Sequence, residues 1–220
     1  MGLKIIITGT TGMVGEGVLL ACLQNKAVEA VLSVSRKSTG RTHPKLTEYI
    51  VPDFLQLKPD DNMLKGYDAC FFCAGVSSIG MSEEKYSLIT YDTTIHFAKM
   101  VLQQNTDVGF IYVSGKGTDS TEKGRTMWAR VKGKTENALI RMPFKKVYNF
   151  RPGLMKAMPG QQNLLKLYKA LGWTFPFFKL LFPNAASTLQ QVADAMINTV
   201  TKGYNKQVLE VKDINALAAN

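Results

Sequence analysis

The sequence has few of the residues that build metal sites and disulfides. It contains two histidines and three cysteines in 220 residues. His43 and His96 have no cysteine or carboxylate at a metal-ligand spacing, so no metal site is predicted. Cys22, Cys70 and Cys73 cannot all pair within the chain, which is typical of a protein in the reducing cytoplasm. The pair in "CFFC" falls in a predicted strand, where positions three apart face opposite sides, so we interpret both as buried small residues and not as a redox pair.

Long hydrophobic runs are also missing. The first residues are apolar only as far as Ile7, and no cleavage pattern follows, so they predict a buried strand and not an export signal. Near the other end, "LGWTFPFFKLLFP" (171–183) is interrupted by Pro176 and Lys179 and is shorter than the roughly 20 residues of a membrane span. No transmembrane segment is therefore predicted. We expect this stretch to be a lid or pocket wall, with contact to a membrane surface as the alternative.

Acidic residues are outnumbered. The chain has 17 Asp and Glu against 27 Lys and Arg, a formal charge of +10. The excess is concentrated between Lys116 and Lys156, where eleven basic residues face three acidic ones. This charge favours anionic partners. No zinc finger, RNP-like aromatic strand or other nucleic-acid module accompanies it, so nucleic acid is not the predicted partner.

Strand and helix patterns alternate along the chain. "LKIIIT" is an apolar run with β-branched residues, typical of a parallel strand covered on both faces. "MVGEGVLLACLQN" has apolar positions at helical spacing, and "AVLSVSR" is the next predicted strand. Further strands are predicted in "TEYIV", "DACFFCAG", "VGFIYVS" and "KVYNFRP", and further helices in "EEKYSLITYDTTIHFAKMVLQQN" and "MWARVKGKTENALIRM". The alternation predicts an α/β fold with a Rossmann-type doubly wound parallel sheet in a three-layer α/β/α arrangement.

The last third of the chain is less regular. "GQQNLLKLYKALG" and "LQQVADAMINTV" are predicted helices, and "QVLEV" is a late strand. We predict one domain over 1–220, because two full domains would need a longer chain. Residues 1–153 form its dinucleotide-binding core, and 154–220 form a small C-terminal substrate lobe together with elements that close the fold.

A glycine-rich turn lies between the first strand and the first helix. In "TGTTGMVG", Gly9, Gly12 and Gly15 let the backbone turn tightly, approach a pyrophosphate and pack the helix against the sheet. The helix N-terminus adds N–H donors for phosphate. Since a buried strand precedes the pattern and a helix follows it, the turn predicts dinucleotide binding. The predicted contacts are Gly9, Thr11, Gly12, Met13, Val14 and Gly15.

The end of the second strand predicts which dinucleotide binds. A carboxylate there would accept hydrogen bonds from the adenosine ribose and repel a 2′-phosphate, whereas a guanidinium does the reverse. The strand ends in "SVSRKS", with Arg36 and Lys37 and no acid. NADP(H) is therefore favoured over NAD(H).

Several motifs together resemble one enzyme family. "TGTTGMVG", "VPDF", "CAG", "YVSGKG", "WARVK" and "FRPG" are similar to motifs of atypical short-chain dehydrogenases/reductases, above all the NAD(P)-binding, epimerase-like and NmrA-like proteins. The resemblance covers roughly 3–153 and, more loosely, "STLQQVADAMI". It implies that Asp53 and Phe54 lie by the adenine. It also implies cofactor contacts for Ala74, Gly75, Val76, Arg151, Pro152 and Gly153.

The family's catalytic residues are a Ser, a Tyr and a Lys, the last two spaced Y-x-x-x-K on one helix face. Lys132 matches the lysine, and the resemblance implies that it holds the nicotinamide ribose. Trp128 stands at the tyrosine position, but an indole does not ionise near neutral pH and cannot act as the acid. Trp128 is then either a wall of the nicotinamide pocket or a core aromatic. The serine pair of the family reads Ser114-Gly115 here, so the functional serine is either Ser114 or absent.

Two functions are compatible with this degenerate triad. The first is an NADP(H)-dependent oxidoreductase that passes hydride to a small-molecule acceptor such as a flavin, quinone or carbonyl. Trp128 would favour an aromatic acceptor, and the basic residues near it an anionic one: Lys116, Arg125, Arg130 and Arg151. The second is a non-catalytic NADP(H)-sensing regulatory or interaction protein, as implied by the NmrA-like resemblance. A homodimer is compatible with both functions.

Other phenols could supply the missing proton. Tyr86 and Tyr91 fall on the predicted helix after the fourth strand, and Tyr112 falls in the fifth strand, where we expect it to be buried.

Overall fold

A seven-stranded parallel sheet forms the centre of the computed structural model, which describes residues 2–164, 175, 181–182 and 184–219. The described strands are β1 (Leu3–Thr8), β2 (Val28–Ser35), β3 (Leu46–Ile50), β4 (Ala69–Phe72), β5 (Gly109–Val113), β6 (Lys146–Arg151), β7 (Leu154–Lys156), β8 (Ala186–Thr188) and β9 (Val208–Glu210). The main sheet has the order β3-β2-β1-β4-β5-β6-β9, and β7 pairs with β8 separately. This order confirms the predicted Rossmann-type fold.

The strand order reverses beside β1. From β1 the chain runs outward to β2 and β3, and then returns to β4 on the other side of β1. Thr8 pairs with Phe72 at the carboxyl ends of β1 and β4. The loops after β1 and β4 leave the sheet in opposite directions, and this opens a crevice at the carboxyl ends of the two strands. Open parallel α/β sheets bind their ligands in this crevice.

Helices cover both faces of the sheet. Those in the described residues are α1 (Met13–Gln24), α2 (Glu83–Ser87), α3 (Thr93–Gln104), α4 (Met127–Ile140), α5 (Leu189–Thr201) and α6 (Val211–Ala218). Ile5 and Ile7 of β1 pack into a core with α1, α5 and α6. Ile6 packs on the opposite face, in a core that includes α3 residues and Leu139 of α4. Burial on both faces explains why β1 reads as a continuous apolar run.

The predicted long helix after β4 is interrupted. Residues Leu88–Asp92 form a π-helical segment between α2 and α3. The Thr93 hydroxyl donates to the carbonyl of Leu88 at 2.9 Å, and that of Thr94 donates to the carbonyl of Thr90 at 2.5 Å. Side-chain hydroxyls that bond to backbone carbonyls compete with regular helical hydrogen bonding, which accounts for the local widening.

The tail contributes to the core sheet. The predicted helix in "LQQVADAMINTV" is confirmed as α5, which packs against α1. The predicted strand in "QVLEV" is confirmed as β9, the edge strand beside β6. Residues 160–164 of the predicted helix "GQQNLLKLYKALG" are not helical, and the rest of it lies outside the described residues. Most of the segment 171–183 also lies outside them.

No helix in the described part of the chain is long and apolar enough to cross a membrane.

Candidate nucleotide-binding and catalytic site

The turn after β1 brings the ends of β1 and β4 into contact. Gly9 has φ +71°, and a Cβ at this position would lie 2.7 Å from backbone atoms of Ala74. A Cβ on Gly15 would overlap the carbonyl oxygen of Gly9. Both positions therefore require glycine. The turn is closed by the N–H of Gly12, which donates to the Gly9 carbonyl at 2.9 Å.

The first turn of α1 is open to a phosphate. Gly12 precedes Met13, the first helical residue, and has no side chain to cap the N–H groups of the helix. Thr11 and Gly12 are exposed, whereas Met13 and Val14 are half-buried. Uncapped N–H groups at the end of a helix bind anions. The glycine turn thus fits the pyrophosphate of a dinucleotide.

Arg36 and Lys37 follow β2 at the same edge of the sheet. Both side chains are exposed, and neither makes a hydrogen bond or ion pair with the residues that the structure describes. The backbone between them and β2 is fixed, because the Ser35 hydroxyl donates to the carbonyl of Lys37 at 2.6 Å. The two cations are therefore available to a ligand.

The two residues predicted beside the adenine have different environments. Asp53 is exposed, and its carboxylate caps a short 3-10 helix by accepting from the N–H of Leu55 at 3.0 Å. Phe54 is buried, and its ring stacks on that of Phe97 with centroids 5.1 Å apart. The Phe54 ring is therefore part of the core, and the position of Asp53 and Phe54 beside the adenine stays a prediction.

The residues after β4 follow the crevice. The N–H of Ala74 donates to the Thr8 hydroxyl at 3.1 Å, which ties the end of β4 to β1. Gly75 is exposed and has open space where a side chain would stand. Val76 is half-buried. This stretch can contact a ligand through its backbone.

Lys132 lies at the carboxyl end of β5. Its ammonium donates to the backbone carbonyl of Ser114. Burial lowers the pKa of Lys132 to about 8, while the carboxylate of Glu136 opposes this shift. Trp128 stands one turn earlier on α4 and is half-buried, and its Cη2 would lie 3.5 Å from a Cβ on Gly117. The indole therefore packs over the loop that follows β5.

Ser114 does not present its hydroxyl to the crevice. The side chain is buried, with Oγ 2.5 Å from Glu136 Oε1 and 3.1 Å from the carbonyl oxygen of Phe150. A hydroxyl has one proton, and these internal acceptors take it. These bonds favour the alternative in which the functional serine is absent, because Gly115 has no side chain to replace Ser114, and a catalytic role of Ser114 stays a prediction.

Arg151 is committed to internal partners. Its Nε lies 3.0 Å from Glu136 Oε1, and its Nη2 lies 2.5 Å from both Glu136 Oε2 and Ser120 Oγ. Its Nη1 lies 3.2 Å from a carboxylate oxygen of Glu210. The ion pairs therefore occupy the guanidinium, and a cofactor contact of Arg151 stays a prediction.

Pro152 and Gly153 follow β6. Pro152 is buried, and its carbonyl accepts from the N–H of Lys116 at 2.9 Å, which joins the loops after β5 and β6. A Cβ on Gly153 would overlap the carbonyl oxygen of Ala185, so the chain before β8 crosses close to this glycine.

A buried carboxylate in α1 was missed by sequence reasoning. Glu16 is 1% exposed and accepts from Arg41 Nη2 at 2.5 Å. It also accepts from the N–H groups of Gln162 at 2.9 Å and Asn163 at 2.7 Å. Burial raises the pKa of Glu16, but these hydrogen bonds outweigh it and lower the pKa overall. The available signal was an acid in the first turn of a helix whose N-terminus is predicted to bind phosphate, because a carboxylate beside a bound phosphate needs a partner of its own.

The three tyrosines considered as substitutes for the missing acid are all buried or half-buried. Tyr86 and Tyr112 are both 2% exposed, and burial raises the pKa of each. Burial of Tyr112 confirms the expectation. Tyr91 is half-buried, with Lys134 Nζ 4.5 Å from its ring centroid.

The thiols are free and poorly ionised. Cys70 lies within β4, and Cys73 lies one residue beyond its end. Burial raises the pKa of Cys73 to about 12. In the described residues, no three His, Cys, Asp or Glu side chains converge as a metal site.

Sequence comparison finds relatives of low identity. No protein-family model matches the chain. It is 30% identical over 122 residues to the leucinostatins biosynthesis cluster protein T of Purpureocillium lilacinum, a match that covers 54% of this chain and 45% of that protein. It is 27% identical over 159 residues to the protein "fmp52, mitochondrial" of Emericella nidulans, covering 69% and 66%. The chain thus spans less than two thirds of these relatives. The Aspergillus niger fmp52 is 25% identical over 226 residues, covering 93% and 90%.

Solved structures share the fold. A short-chain dehydrogenase family protein from Francisella tularensis has a TM-score of 0.63 at 16% identity, covering 92% of this chain and 93% of that one. MoeE5 in complex with UDP-glucuronic acid and NAD has a TM-score of 0.68 at 15% identity, covering 99% and 81%. The oxidoreductase ylbE from Lactococcus lactis has a TM-score of 0.65 at 16% identity, covering 99% and 98%. The chain therefore has the same fold as these three proteins.

Proposed function

We propose that the protein binds NADP(H) and passes hydride to a small-molecule acceptor, such as a flavin, quinone or carbonyl, without a tyrosine acid. One observation carries the proposal. The open glycine turn of α1 and the ammonium of Lys132 stand at the same carboxyl edge of one parallel sheet, on either side of the reversal between β1 and β4. In sheets of this kind, a bound dinucleotide extends across the point where the strand order reverses, from the turn after the first strand towards the neighbouring strands on the other side.

The preference for the 2′-phosphorylated cofactor is supported by Arg36 and Lys37. These cations are exposed and unpaired within the described chain, at the position where a carboxylate would select NAD(H). A guanidinium binds phosphate through charge-assisted hydrogen bonds. Arg41, a few residues later, is less available because Glu16 binds it.

Lys132 has a physical role whether or not the site is catalytic. An ammonium has three donors, and one of them is used on the Ser114 carbonyl, which leaves the others for the ribose hydroxyls. The bound cofactor supplies the hydride. Trp128 provides an apolar wall beside this position and excludes water from it. Flavin and quinone acceptors need no enzymic phenol, because their reduced anions are delocalised and can take a proton from water.

The organisation of the chain supports one domain. We propose that residues 1–153 bind the dinucleotide and that the region after β6 supplies the acceptor side together with elements that close the fold. A reducing compartment suits the free thiols of Cys22, Cys70 and Cys73. We propose the cytoplasm, and cell fractionation would separate it from the mitochondrion that the fmp52 names mention. Homodimer formation stays a prediction, which light scattering would test.

The proposal is tested by measuring cofactor binding and turnover separately. We expect purified protein to bind NADPH more tightly than NADH in calorimetric titrations, and to oxidise NADPH with at least one member of a panel of flavins, quinones and carbonyls. Absence of NADPH binding would overturn the whole proposal. Binding without oxidation by any acceptor would overturn the enzymatic part and leave the NADP(H)-sensing alternative, which Trp128 and the buried Ser114 hydroxyl favour.

A further inference from the structure

The loop between β5 and α4, residues 114–126, is held in a fixed shape. The carboxylate of Asp119 accepts from the N–H of Thr121 at 2.9 Å, from its hydroxyl at 2.6 Å, and from the N–H of Gly124 at 2.7 Å. A Cβ on Gly133 of α4 would overlap the carbonyl oxygen of Asp119, so the loop packs directly on the helix. Arg130 also donates to the carbonyl of Gly124 at 2.7 Å. Side chains on this loop are therefore presented from a rigid base.

The acids of this region are already satisfied. Asp119 caps the loop as described. Glu122 accepts from the Asn137 amide at 2.7 Å. Glu136 is buried against Arg151. None of these carboxylates is placed to neutralise an exposed cation of the loop.

Two of the four basic candidates from the sequence are used internally. Arg130 pairs with Glu83 of α2 at 2.6 Å, and Arg151 pairs with Glu136. Lys116 and Arg125 are exposed and make no side-chain hydrogen bond or ion pair within the described chain. Of these four candidates, Lys116 and Arg125 are thus the two whose charge remains for a ligand.

Both cations lie in chain segments next to Trp128. Lys116 lies where the loops after β5 and β6 meet, and the next residue, Gly117, lies beneath the indole. Arg125 comes directly before the N-cap of α4, close to Trp128 in the first turn. The half-buried indole can stack on an aromatic ring, while Lys116 and Arg125 can bind a negative charge at its edge.

We infer that the acceptor of the proposed oxidoreductase is an aromatic anion, with its ring against Trp128 and its carboxylate or phosphate on Lys116 and Arg125. The inference rests on the proposed function, because it names the substrate class of the same site. It excludes neutral aliphatic carbonyls as the preferred acceptors. The anion of the acceptor and the 2′-phosphate of the cofactor would thus be bound by different residues, since Arg36 and Lys37 would bind the 2′-phosphate.

The test compares two flavins that differ by one phosphate, FMN and riboflavin. We expect kcat/KM with NADPH to be higher for FMN, and added salt to reduce the difference because it screens exposed charges. Lys116→Ala and Arg125→Ala should each lower the FMN-to-riboflavin ratio about threefold, and the double variant about tenfold, as for exposed ion pairs. Lys123→Ala is the matched control, since Lys123 is exposed on the same loop but is adjacent in sequence neither to Gly117 nor to the N-cap of α4.

The outcomes distinguish this inference from the proposed function. The Kd for NADPH is measured for each variant, so that loss of cofactor is not mistaken for loss of acceptor. An equal preference for FMN and riboflavin in the wild type, with NADPH oxidation intact, would overturn the inference alone. An effect of Lys123→Ala as large as that of Lys116→Ala would also overturn it, because the preference for FMN would then come from the overall positive charge of the loop and not from a specific contact. If neither flavin is turned over, equal affinities of the two flavins for the NADP⁺-bound protein would overturn it.

Discussion

Arg151 and Glu136 face each other in the interior with two nitrogens of the guanidinium on two oxygens of the carboxylate, at 3.0 and 2.5 Å. Glu136 is fully buried, and Arg151 is 9% exposed. The same carboxylate accepts from Ser114, whose backbone carbonyl holds the ammonium of Lys132. The pair therefore fixes the end of β6 to the residue that we propose holds the cofactor's ribose.

Removing the charge of Glu136 should destabilise the fold strongly. Glu136→Gln leaves Arg151 buried without its carboxylate, and breaking a buried ion pair in this way costs about 3–5 kcal/mol of unfolding free energy. Urea denaturation would measure the change. Glu122→Gln is the control, because Glu122 is half-buried and its partner is a neutral amide, so its cost should stay within about 1 kcal/mol. Equal losses in the two variants would contradict a structural role for the Arg151–Glu136 pair.

Ser114→Ala should keep its activity. The variant loses one buried hydrogen bond, which costs about 1 kcal/mol of stability, and it keeps the backbone carbonyl that binds Lys132. We expect kcat for NADPH oxidation to change by less than about threefold. A fall of about a hundredfold in kcat at unchanged stability, the range for a lost acid–base or orienting group, would instead show that Ser114 is catalytic.

Cofactor capture should depend on pH through Lys132. Since burial lowers its pKa to about 8, the ammonium is present below that pH and is lost as the pH rises through it. The charged form is the better donor to ribose hydroxyls, so kcat/KM for NADPH should fall above about pH 8. Lys132→Arg stays charged and should remove this limb of the profile. If kcat/KM still falls above this pH in the Lys132→Arg variant, the fall is caused by the titration of another group.

Arg36→Asp should reverse the cofactor preference. A carboxylate at the end of β2 accepts from the ribose hydroxyls and repels a 2′-phosphate, so the NADPH-to-NADH affinity ratio should fall about a hundredfold. Calorimetric titration with each cofactor would measure it. Lys26→Asp makes the same charge change before β2, at the opposite edge of the sheet, and should leave the ratio unchanged. An unaltered preference in Arg36→Asp would show that the 2′-phosphate is bound elsewhere.

The fold could be predicted more fully than the site. The bounds of β1 match the predicted run "LKIIIT", because burial on both faces leaves a clear apolar pattern. The glycines of the first turn were recognisable because a side chain does not fit there. In contrast, the sequence has no pattern that shows which residue a polar side chain will bind. "YVSGKG" and "FRPG" suggested a hydroxyl and a guanidinium for ligands, but Glu136, one turn after Lys132, binds both.

The environments of Phe54 and Glu16 could not be predicted either, because their partners are distant in the sequence. Phe54 next to Asp53 could face a nucleotide or the core, and only its stacking on Phe97, from a helix far along the chain, decides between them. The partners of Glu16 are Arg41 and the segment around Gln162, which only the fold brings against it.

The position of β9 at the edge of the sheet affects how the protein is made. β6 has its outer partner only when Val208–Glu210 arrive, because Asn149 of β6 donates to the carbonyl of Gln207 and the two strands then pair. On the ribosome, the Rossmann core can collapse as soon as β6 emerges, yet β6 keeps an open edge until the chain has been synthesised as far as Glu210. Nascent chains stalled before β9 should therefore be held by chaperones, and release should follow only when this strand leaves the exit tunnel.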